Sequence, residues 1–228
     1  MSDMQNIVTI DGPGGVGKSS VSRKVAAATG FTYLDTGAMY RGVGLYFLQQ
    51  GVGLDDTAAI AEKLADLELK LLPAADEESD VGVLINGENV TDAIRTPEMA
   101  MVASRVSAIP VVREILTHIQ RGYGDKGNIV AEGRDTGTVV FPRAAYKFFL
   151  DATPEERARR RVLQMQARGV EADYKQTLAM LLERDKNDSE RAVAPLKAAQ
   201  DAVRIDTTEI TVQQVVEEIL RTIERKRR

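Results

Sequence analysis

Short apolar runs alternate along the chain with longer segments of helical periodicity. Five of the runs are rich in β-branched or aromatic residues, which is typical of buried strands. They cover Ile7–Ile10, Phe31–Leu34, Ile129–Ala131, Tyr146–Leu150 and Val203–Ile205. Helical patterns lie between them, notably over 21–28, 154–168, 174–187 and 210–226. This alternation predicts an α/β fold whose parallel sheet is covered by helices on both faces.

The interval from about 36 to 128 departs from this alternation. It contains two apolar runs, Leu67–Leu72 and Val81–Ile85, and the second is followed by Asn86-Gly87. Asn-Gly after a strand is a strong signal of a two-residue hairpin turn. We therefore expect a small antiparallel sheet inserted into the main fold.

The acidic and proline residues of this interval predict two further features, an exposed turn and a helical segment. The acidic segment Ala74–Asp80 is expected to be an exposed turn. Helices are predicted over roughly 97–122, where Pro97 and Pro110 divide the segment.

The composition excludes several kinds of chemistry. Among 228 residues there is no Cys, which rules out disulfides, thiol nucleophiles and cysteine-ligated metal sites. The single histidine, His118, excludes a multi-histidine metal site and argues against a Ser-His-Asp triad. The formal net charge of −4 argues against a general nucleic-acid surface.

The sequence shows no feature that indicates binding to a membrane. No run approaches the roughly 20 apolar residues that a spanning helix needs. The first residues carry no basic segment of the kind that opens a secretion signal. We therefore expect a cytoplasmic protein that binds neither membranes nor nucleic acid.

A phosphate-binding loop follows the first predicted strand. The segment fits the pattern Gly-x-x-x-x-Gly-Lys-Ser/Thr and leads into a helix; it consists of Gly12, Pro13, Gly14, Gly15, Val16, Gly17, Lys18 and Ser19, with Ser20 after it. Glycines let successive backbone N–H groups surround a phosphate, and the helix adds the positive end of its dipole. Lys18 can reach the β- and γ-phosphates of a nucleoside triphosphate, and the Ser19 hydroxyl is a candidate Mg²⁺ ligand.

The loop leaves three classes open: a small-molecule kinase, a GTPase switch, and an ATPase motor or transporter module. A GTPase would carry Asn-Lys-x-Asp for guanine, and no asparagine here is followed by lysine. A transporter ATPase would carry a Ser-Gly-Gly signature, which is also absent. The kinase interpretation remains.

Arginines are concentrated in two predicted helices after the fourth strand. Arg157 and Arg161 share one face of the first helix, four residues apart, whereas we expect Arg159 and Arg160 to form solvated pairs with neighbouring glutamates. Arg184 and Arg191 flank a polar segment at the end of the second helix, too polar for a core. We expect this helical hairpin to be a mobile lid over the phosphates.

Several motifs together resemble the bacterial cytidylate kinases, a family of nucleoside-monophosphate kinases. The resemblance covers nearly the whole chain and rests on the runs Asp11–Lys18, Leu34–Arg41, Ile94–Thr96, Pro110–Glu114, Glu132–Pro142 and Glu183–Pro195. It implies a core with a five-stranded parallel sheet, formed by residues 1–35, 106–153 and 192–228. It also implies a monophosphate-binding domain over 36–105, with an extra sheet near 63–103, and a lid over 154–191.

The resemblance further implies the reaction of ATP with CMP or dCMP, with Mg²⁺ as cofactor, and we expect a monomer. It implies catalytic roles for Lys18, Arg134, Arg184 and Arg191. ATP contacts are expected from the phosphate loop with Arg157 and Arg161. Contacts to the acceptor nucleotide are expected from Asp35, Thr36, Arg41, Ser104, Arg113, Arg134, Asp135, Arg184, Asp188 and Arg191, with Ser104, Arg113 and Asp135 at the cytosine. A carboxylate can accept a hydrogen bond from the cytosine amino group, whereas it would face an acceptor oxygen in uracil.

The chain differs from some members of that family at three of these positions. Thr36 replaces a serine and keeps the hydroxyl, and Ser19 replaces a glycine. Glu132 stands where relatives carry aspartate, and no catalytic role is assigned to it. Alternative interpretations are a kinase for adenylate or uridylate, a shikimate-type kinase, and a regulatory protein that binds ATP without turnover.

Overall fold

The computed structural model describes residues 6–74, 76, 79–125, 127–167 and 169–227. Within these residues the strands are β1 (Ile7–Asp11), β2 (Thr32–Asp35), β3 (Leu69–Leu72), β4 (Gly82–Ile85), β5 (Glu88–Asn89), β6 (Ile129–Gly133), β7 (Tyr146–Asp151) and β8 (Val203–Asp206). The helices are α1 (Lys18–Thr29), α2 (Thr36–Gln49), α3 (Thr57–Ala65), α4 (Pro97–Val106), α5 (Pro110–Gly124), α6 (Pro154–Ala167), α7 (Tyr174–Glu190) and α8 (Val212–Arg227). A single π-helical turn, Thr136–Val140, follows β6.

The main sheet has the strand order β2-β6-β1-β7-β8, and all its neighbouring strands are parallel. This confirms the predicted five-stranded parallel sheet. Asp11 is in register with Gly133, and Asp35 with Glu132. The carboxyl ends of β1, β2 and β6 therefore present their polar residues at one edge, where open α/β sheets bind ligands.

Helices cover both faces of this sheet, as the alternation predicts. On β1, Ile7 belongs to one apolar cluster with Met39, Phe47 and Leu116. Val8 and Ile10 belong to the other cluster, which includes side chains of α1 and α8. Successive side chains of a strand point to opposite faces, so these two clusters are the two sides of the core.

The predicted insert is a three-stranded antiparallel sheet of order β3-β4-β5. Between β4 and β5, Asn86 has φ 49° and Gly87 has φ 83°. Positive φ at both central residues is the signature of the hairpin turn that Asn-Gly favours, so the predicted turn is confirmed.

The boundaries of several helices agree with the positions of proline and glycine in the sequence. α4 begins at Pro97 and α5 at Pro110, and the residue that follows α1 is its C-cap Gly30, which has φ 69°. Neither α2 nor α3 is predicted by the patterns described above. α2 is buried on most of its surface and contains three glycines, so it lacks the one-sided apolar stripe by which helices are recognised.

Among the described residues, no helix combines the length and the apolar character that a membrane-spanning segment requires.

Candidate active site

The phosphate loop joins β1 to α1 in a conformation that only glycine accommodates well. Gly15 has φ 82° and Gly17 has φ 92°, both in the left-handed region. A Cβ placed on Gly12 would lie 2.1 Å from the carbonyl oxygen of Leu150 on β7. The loop is thus packed directly against the neighbouring strand.

Lys18 folds back over the loop that precedes it. Its Nζ donates a hydrogen bond of 2.6 Å to the carbonyl oxygen of Pro13, and the side chain is buried. Burial, together with the positive charge of Arg134, holds the pKa of Lys18 well below its usual value. An anion beside Lys18 would oppose both effects, because it would stabilise the charged ammonium.

A cavity of about 540 Å³ opens in front of the loop. Gly14, Gly15, Gly17, Lys18, Ser19 and Ser20 line one side. Seven of the described lining residues are lysine or arginine, and Asp80 is the one carboxylate among them. Such a charge balance suits a polyanionic ligand.

The structure brings most of the predicted phosphate-binding side chains into this cavity. Arg41 reaches it from α2, Arg161 from α6 and Arg184 from α7. Gly12, Pro13 and Val16 form the body of the loop and lie outside the lining.

Arg157 lies behind the loop and not in the cavity lining. Its Nη1 donates 3.0 Å to the carbonyl of Gly14, and its Nε donates 3.1 Å to the carbonyl of Ala152. Its Nη2 pairs with Asp185 of α7 at 2.6 Å. This buried guanidinium therefore connects the loop with α6, which carries Arg157, and with α7.

Asp35 and Thr36 occupy the junction of β2 and α2. Asp35 Oδ1 caps the helix by accepting 2.8 Å from the backbone N–H of Ala38, and Oδ2 pairs with Arg41 at 3.0 Å. Although burial opposes ionisation, Arg41 and Arg95 hold the pKa of Asp35 below its usual value. The Thr36 hydroxyl donates 2.6 Å to the carbonyl of Glu132, which ties α2 to β6.

A buried polar cluster adjoins the cavity and connects α4 with α7. Asp188 of α7 accepts 2.8 Å from the Ser104 hydroxyl and 2.9 Å from Arg134 Nε, and Arg184 Nε lies 3.8 Å away. Despite burial, Arg134 and Arg184 keep the pKa of Asp188 below its usual value. A Cβ on Gly14 would lie 3.6 Å from Arg184 and 3.7 Å from Arg134, so these arginines connect the cluster to the phosphate loop.

Asp135 anchors the second half of this cluster. Its carboxylate pairs with Arg113 Nη2 and, at 3.4 Å, with Arg191 Nη2. Ser107 holds both arginines, because its carbonyl accepts 3.1 Å from Arg113 and its hydroxyl lies 2.8 Å from Arg191 Nη1. Burial outweighs the two arginines and raises the pKa of Asp135.

The cluster therefore brings together six of the residues predicted to contact the acceptor nucleotide. They lie next to the phosphate loop but outside the cavity lining, and they are Ser104, Arg113, Arg134, Asp135, Asp188 and Arg191.

Ser19 and Glu132 meet at the carboxyl end of β6. The Ser19 hydroxyl donates 2.8 Å to Glu132 Oε1, which also accepts 2.7 Å from the Tyr33 hydroxyl. The other oxygen, Oε2, is buried without a hydrogen-bond partner. Burial and the nearby charge of Asp35 raise the pKa of Glu132. A hydroxyl beside a carboxylate oxygen with free lone pairs is the kind of donor set that Mg²⁺ prefers.

Sequence reasoning missed Arg95 and Asp80 as residues of this site. Asp80 was expected in an exposed turn, which is wrong for this residue: its side chain is 30% exposed and pairs with Arg23 of α1 at 2.7 Å. Asp76 is exposed, as expected, while residues 75, 77 and 78 lie outside the described residues. Only the Ile94–Thr96 motif hinted at Arg95, and it carried no assigned role.

Arg160 also does more than pair with the solvated face of its helix. Arg159 and Arg160 both bind Glu156, at 2.7 and 2.8 Å, as expected. Arg160 in addition donates 3.2 Å to the carbonyl of Thr208 in the loop after β8. It therefore fixes that loop beside the cavity.

Comparison with known proteins agrees with this geometry. The family model for cytidylate kinase matches residues 8–225. The chain is 47% identical to a cytidylate kinase of Syntrophotalea carbinolica, covering 96% of this chain and 92% of that protein. It is 44% identical to a cytidylate kinase of Carboxydothermus hydrogenoformans, with 96% and 97% covered.

A solved structure of an uncharacterized protein from Eubacterium ventriosum has the same fold, with a TM-score of 0.50, 16% identity, and 96% of this chain and 98% of that chain covered. The sequence matches to the two cytidylate kinases cover nearly the full length of each chain and identify the family. The chain belongs to the cytidylate kinase family.

Proposed function

We propose that the protein transfers the γ-phosphoryl group of ATP to CMP or dCMP, giving ADP and CDP or dCDP. The observation that supports this proposal is that three features lie next to one another: a phosphate loop, a cation-lined cavity and a buried carboxylate cluster around Asp135. The first two suit the triphosphate of ATP and the phosphate of the acceptor, and the third suits a polar base. Membership of the cytidylate kinase family supports the same reaction.

In this proposal ATP lies along the phosphate loop. Backbone N–H groups of the loop bind its phosphates, Lys18 contacts the β- and γ-phosphates, and Arg161 reaches the triphosphate from the lid. Arg157 acts on ATP through the loop, since its contacts are with Gly14 and Asp185.

The acceptor nucleotide lies between α2, α4 and the lid. Arg41, held by Asp35, binds its phosphate, and Arg134 and Arg191 add positive charge. Asp188 faces the sugar, and Thr36 supports this arrangement through its bond to Glu132.

Three residues distinguish the base, namely Ser104, Arg113 and Asp135. The carboxylate of Asp135 accepts from the cytosine amino group, and Arg113 keeps that carboxylate oriented. Uracil would place an oxygen against the same carboxylate, so CMP is favoured over UMP.

The transfer itself requires positioning and charge stabilisation, with no covalent enzyme intermediate. An oxygen of the acceptor phosphate attacks the γ-phosphorus in line, while the bond from that phosphorus to the β–γ bridging oxygen breaks and ADP leaves. Lys18 and Arg184 stand where they can stabilise the charge on the transferring group. This explains how a chain without cysteine catalyses the reaction.

Ser19 and Glu132 would hold Mg²⁺ in this site, since their 2.8 Å contact and the unpartnered Glu132 Oε2 suit a hard cation. Bound there, Mg²⁺ would supply positive charge that offsets the charge of the phosphates. We assign the core to residues 1–35, 106–153 and 192–228, the acceptor domain to 36–105 and the lid to 154–191. We also propose that the protein acts as a cytoplasmic monomer.

An ADP-release assay with Mg-ATP and six acceptors in parallel tests the proposal. The acceptors are CMP, dCMP, UMP, AMP, GMP and shikimate. Turnover is expected to be greatest with CMP and dCMP. Preference for another acceptor would refute the roles of Ser104, Arg113 and Asp135, and tight ATP binding without any turnover would favour a regulatory protein.

A further inference from the structure

Asp11 is the last residue of β1, directly before the phosphate loop, and its side chain is buried. It lies outside the cavity lining that the described residues form. A buried carboxylate is costly unless it accepts hydrogen bonds, so its partners within the protein indicate what it does.

Three hydrogen bonds join Asp11 to the π-helical turn that follows β6. Asp11 Oδ1 accepts 2.9 Å from the backbone N–H of Thr136 and 2.7 Å from the Thr136 hydroxyl. Oδ2 accepts 2.8 Å from the backbone N–H of Gly137. These are the first two residues of the turn, whose N–H groups have no partner within a helical turn. Asp11 therefore caps this turn from a different strand, 125 positions away from Thr136.

Asp135 occupies the N-cap position of the same turn but leaves the capping to Asp11. Its carbonyl oxygen accepts backbone N–H groups of the turn, whereas its carboxylate caps none of the described residues there. An aspartate at an N-cap ordinarily accepts from the N–H of the second or third residue. Here the second residue, Gly137, donates to Asp11. The carboxylate of Asp135 is thereby left to pair with Arg113 and Arg191.

The glycine at position 137 permits the close approach that this cap needs. A Cβ placed on Gly137 would lie 2.8 Å from Thr9 Oγ1 and 3.4 Å from Asp11 Oδ2. Because the turn packs this closely against β1, the short side chain of Asp11 reaches two backbone N–H groups at once.

We propose that Asp11 is a positioning residue for recognition of the acceptor base, since it caps the turn in place of Asp135 and so keeps the Asp135 carboxylate at the base. The inference rests on the proposed function, which assigns Asp135 to the cytosine. Without Asp11, the N–H of Gly137 becomes available to Asp135, whose carboxylate then turns away from Arg113 and Arg191. Asp11 thus connects the start of the phosphate loop with the recognition of the base.

The test is Asp11→Asn, which keeps the size of the side chain but sets an N–H donor against a backbone N–H. The ratio of kcat/KM for CMP to that for UMP is expected to fall ~10-fold, about the effect of one lost hydrogen bond to a charged group. The KM for ATP is expected to stay within about twofold. Asp206→Asn is the matched control and should leave the ratio unchanged, because Asp206 ends β8 and accepts 2.8 Å from the backbone N–H of Thr208.

A double-mutant cycle with Asp135→Asn separates positioning from general support of the fold. If Asp11 acts through Asp135, adding Asp11→Asn to Asp135→Asn changes the CMP-to-UMP ratio by less than about twofold. Equal effects in the two backgrounds would overturn the proposal. An unchanged ratio in Asp11→Asn, or a KM for ATP that rises as much as the KM for CMP, would overturn it as well.

Thr136→Val provides a second variant if Asp11→Asn does not fold. It removes only the hydroxyl bond to Asp11 and changes no charge, so a smaller fall of ~3-fold in the same ratio is expected. An unchanged ratio in this variant would contradict the proposal. If the wild-type protein prefers another monophosphate, the proposed function fails, and the same cycle measured as kcat/KM for that acceptor still tests Asp11.

Discussion

The Ser104 hydroxyl donates a hydrogen bond of 2.8 Å to Asp188, although the two residues are 84 positions apart in the chain. The bond joins α4, beside the proposed base site, to α7 of the proposed lid. Since Asp188 also accepts from Arg134 of the core, three parts of the molecule meet at one buried carboxylate. We therefore expect a nucleotide that contacts this carboxylate to affect α7 directly.

The first prediction concerns lid closure. Binding of CMP together with a non-hydrolysable ATP analogue is expected to slow amide hydrogen exchange in α6 and α7, because we propose that both ligands contact arginines of these helices. Hydrogen–deuterium exchange with mass spectrometry measures this. Identical exchange with and without the two ligands would contradict closure.

A second prediction concerns Lys18. Lys18→Ala is expected to lower kcat by at least ~10²-fold, since the cation that faces the transferring phosphoryl group is lost. The control is Lys70→Ala, because Lys70 is 61% exposed on the insert sheet. Near-normal turnover by a folded Lys18→Ala variant would remove this residue from the mechanism.

Base selection depends on Asp135 in this account. Asp135→Asn keeps the shape of the side chain but replaces an acceptor oxygen with an N–H donor, so the preference for CMP over UMP is expected to shrink. The measurement is the ratio of kcat/KM for the two substrates, with the exposed Asp125→Asn as control. An unchanged ratio would show that another group reads the base.

Gly12 provides a test of the packing between the loop and the sheet. Gly12→Ala would place a Cβ 2.1 Å from the Leu150 carbonyl oxygen, at φ 149°. We expect a loss of at least ~2 kcal/mol in the free energy of unfolding. Gly53→Ala has open space around its Cβ and is expected to be near neutral. Equal urea midpoints for the two variants would contradict the close approach.

Asp11 gives the stability a pH dependence of known sign. Burial raises its pKa from 3.8 to about 6, against the hydrogen bonds from Gly137 and Thr136. Between these values the folded protein keeps a proton that the unfolded chain has lost, so this group destabilises the fold as pH rises.

The difference in unfolding free energy between wild type and Asp11→Asn is therefore expected to move against the wild type by roughly 1 kcal/mol from pH 5 to pH 7.5. Urea unfolding at the two pH values measures it. A difference that is independent of pH would show that Asp11 has an ordinary pKa.

The sequence predicted the main sheet well because its signals are local. All five strands occur where apolar β-branched runs predict them, and four of them end on the aspartate that follows the run, such as Asp11 and Asp206. The phosphate loop, the Asn86-Gly87 turn and the starts of α4 and α5 are set by residues close together in the chain.

Contacts between segments that are distant in the chain could not be predicted from local sequence patterns. Ser19 and Glu132 are 113 positions apart, and Arg23 and Asp80 are 57 apart. Spacing along one element cannot show that a carboxylate of the insert pairs with an arginine of α1.

Transfer of label from γ-phosphate-radiolabelled ATP tests the central claim most directly. With Mg²⁺ and CMP present, the account predicts that the label moves to CDP and that little is released as inorganic phosphate. Label found only in inorganic phosphate, or transferred to UMP or AMP more readily than to CMP, would contradict it.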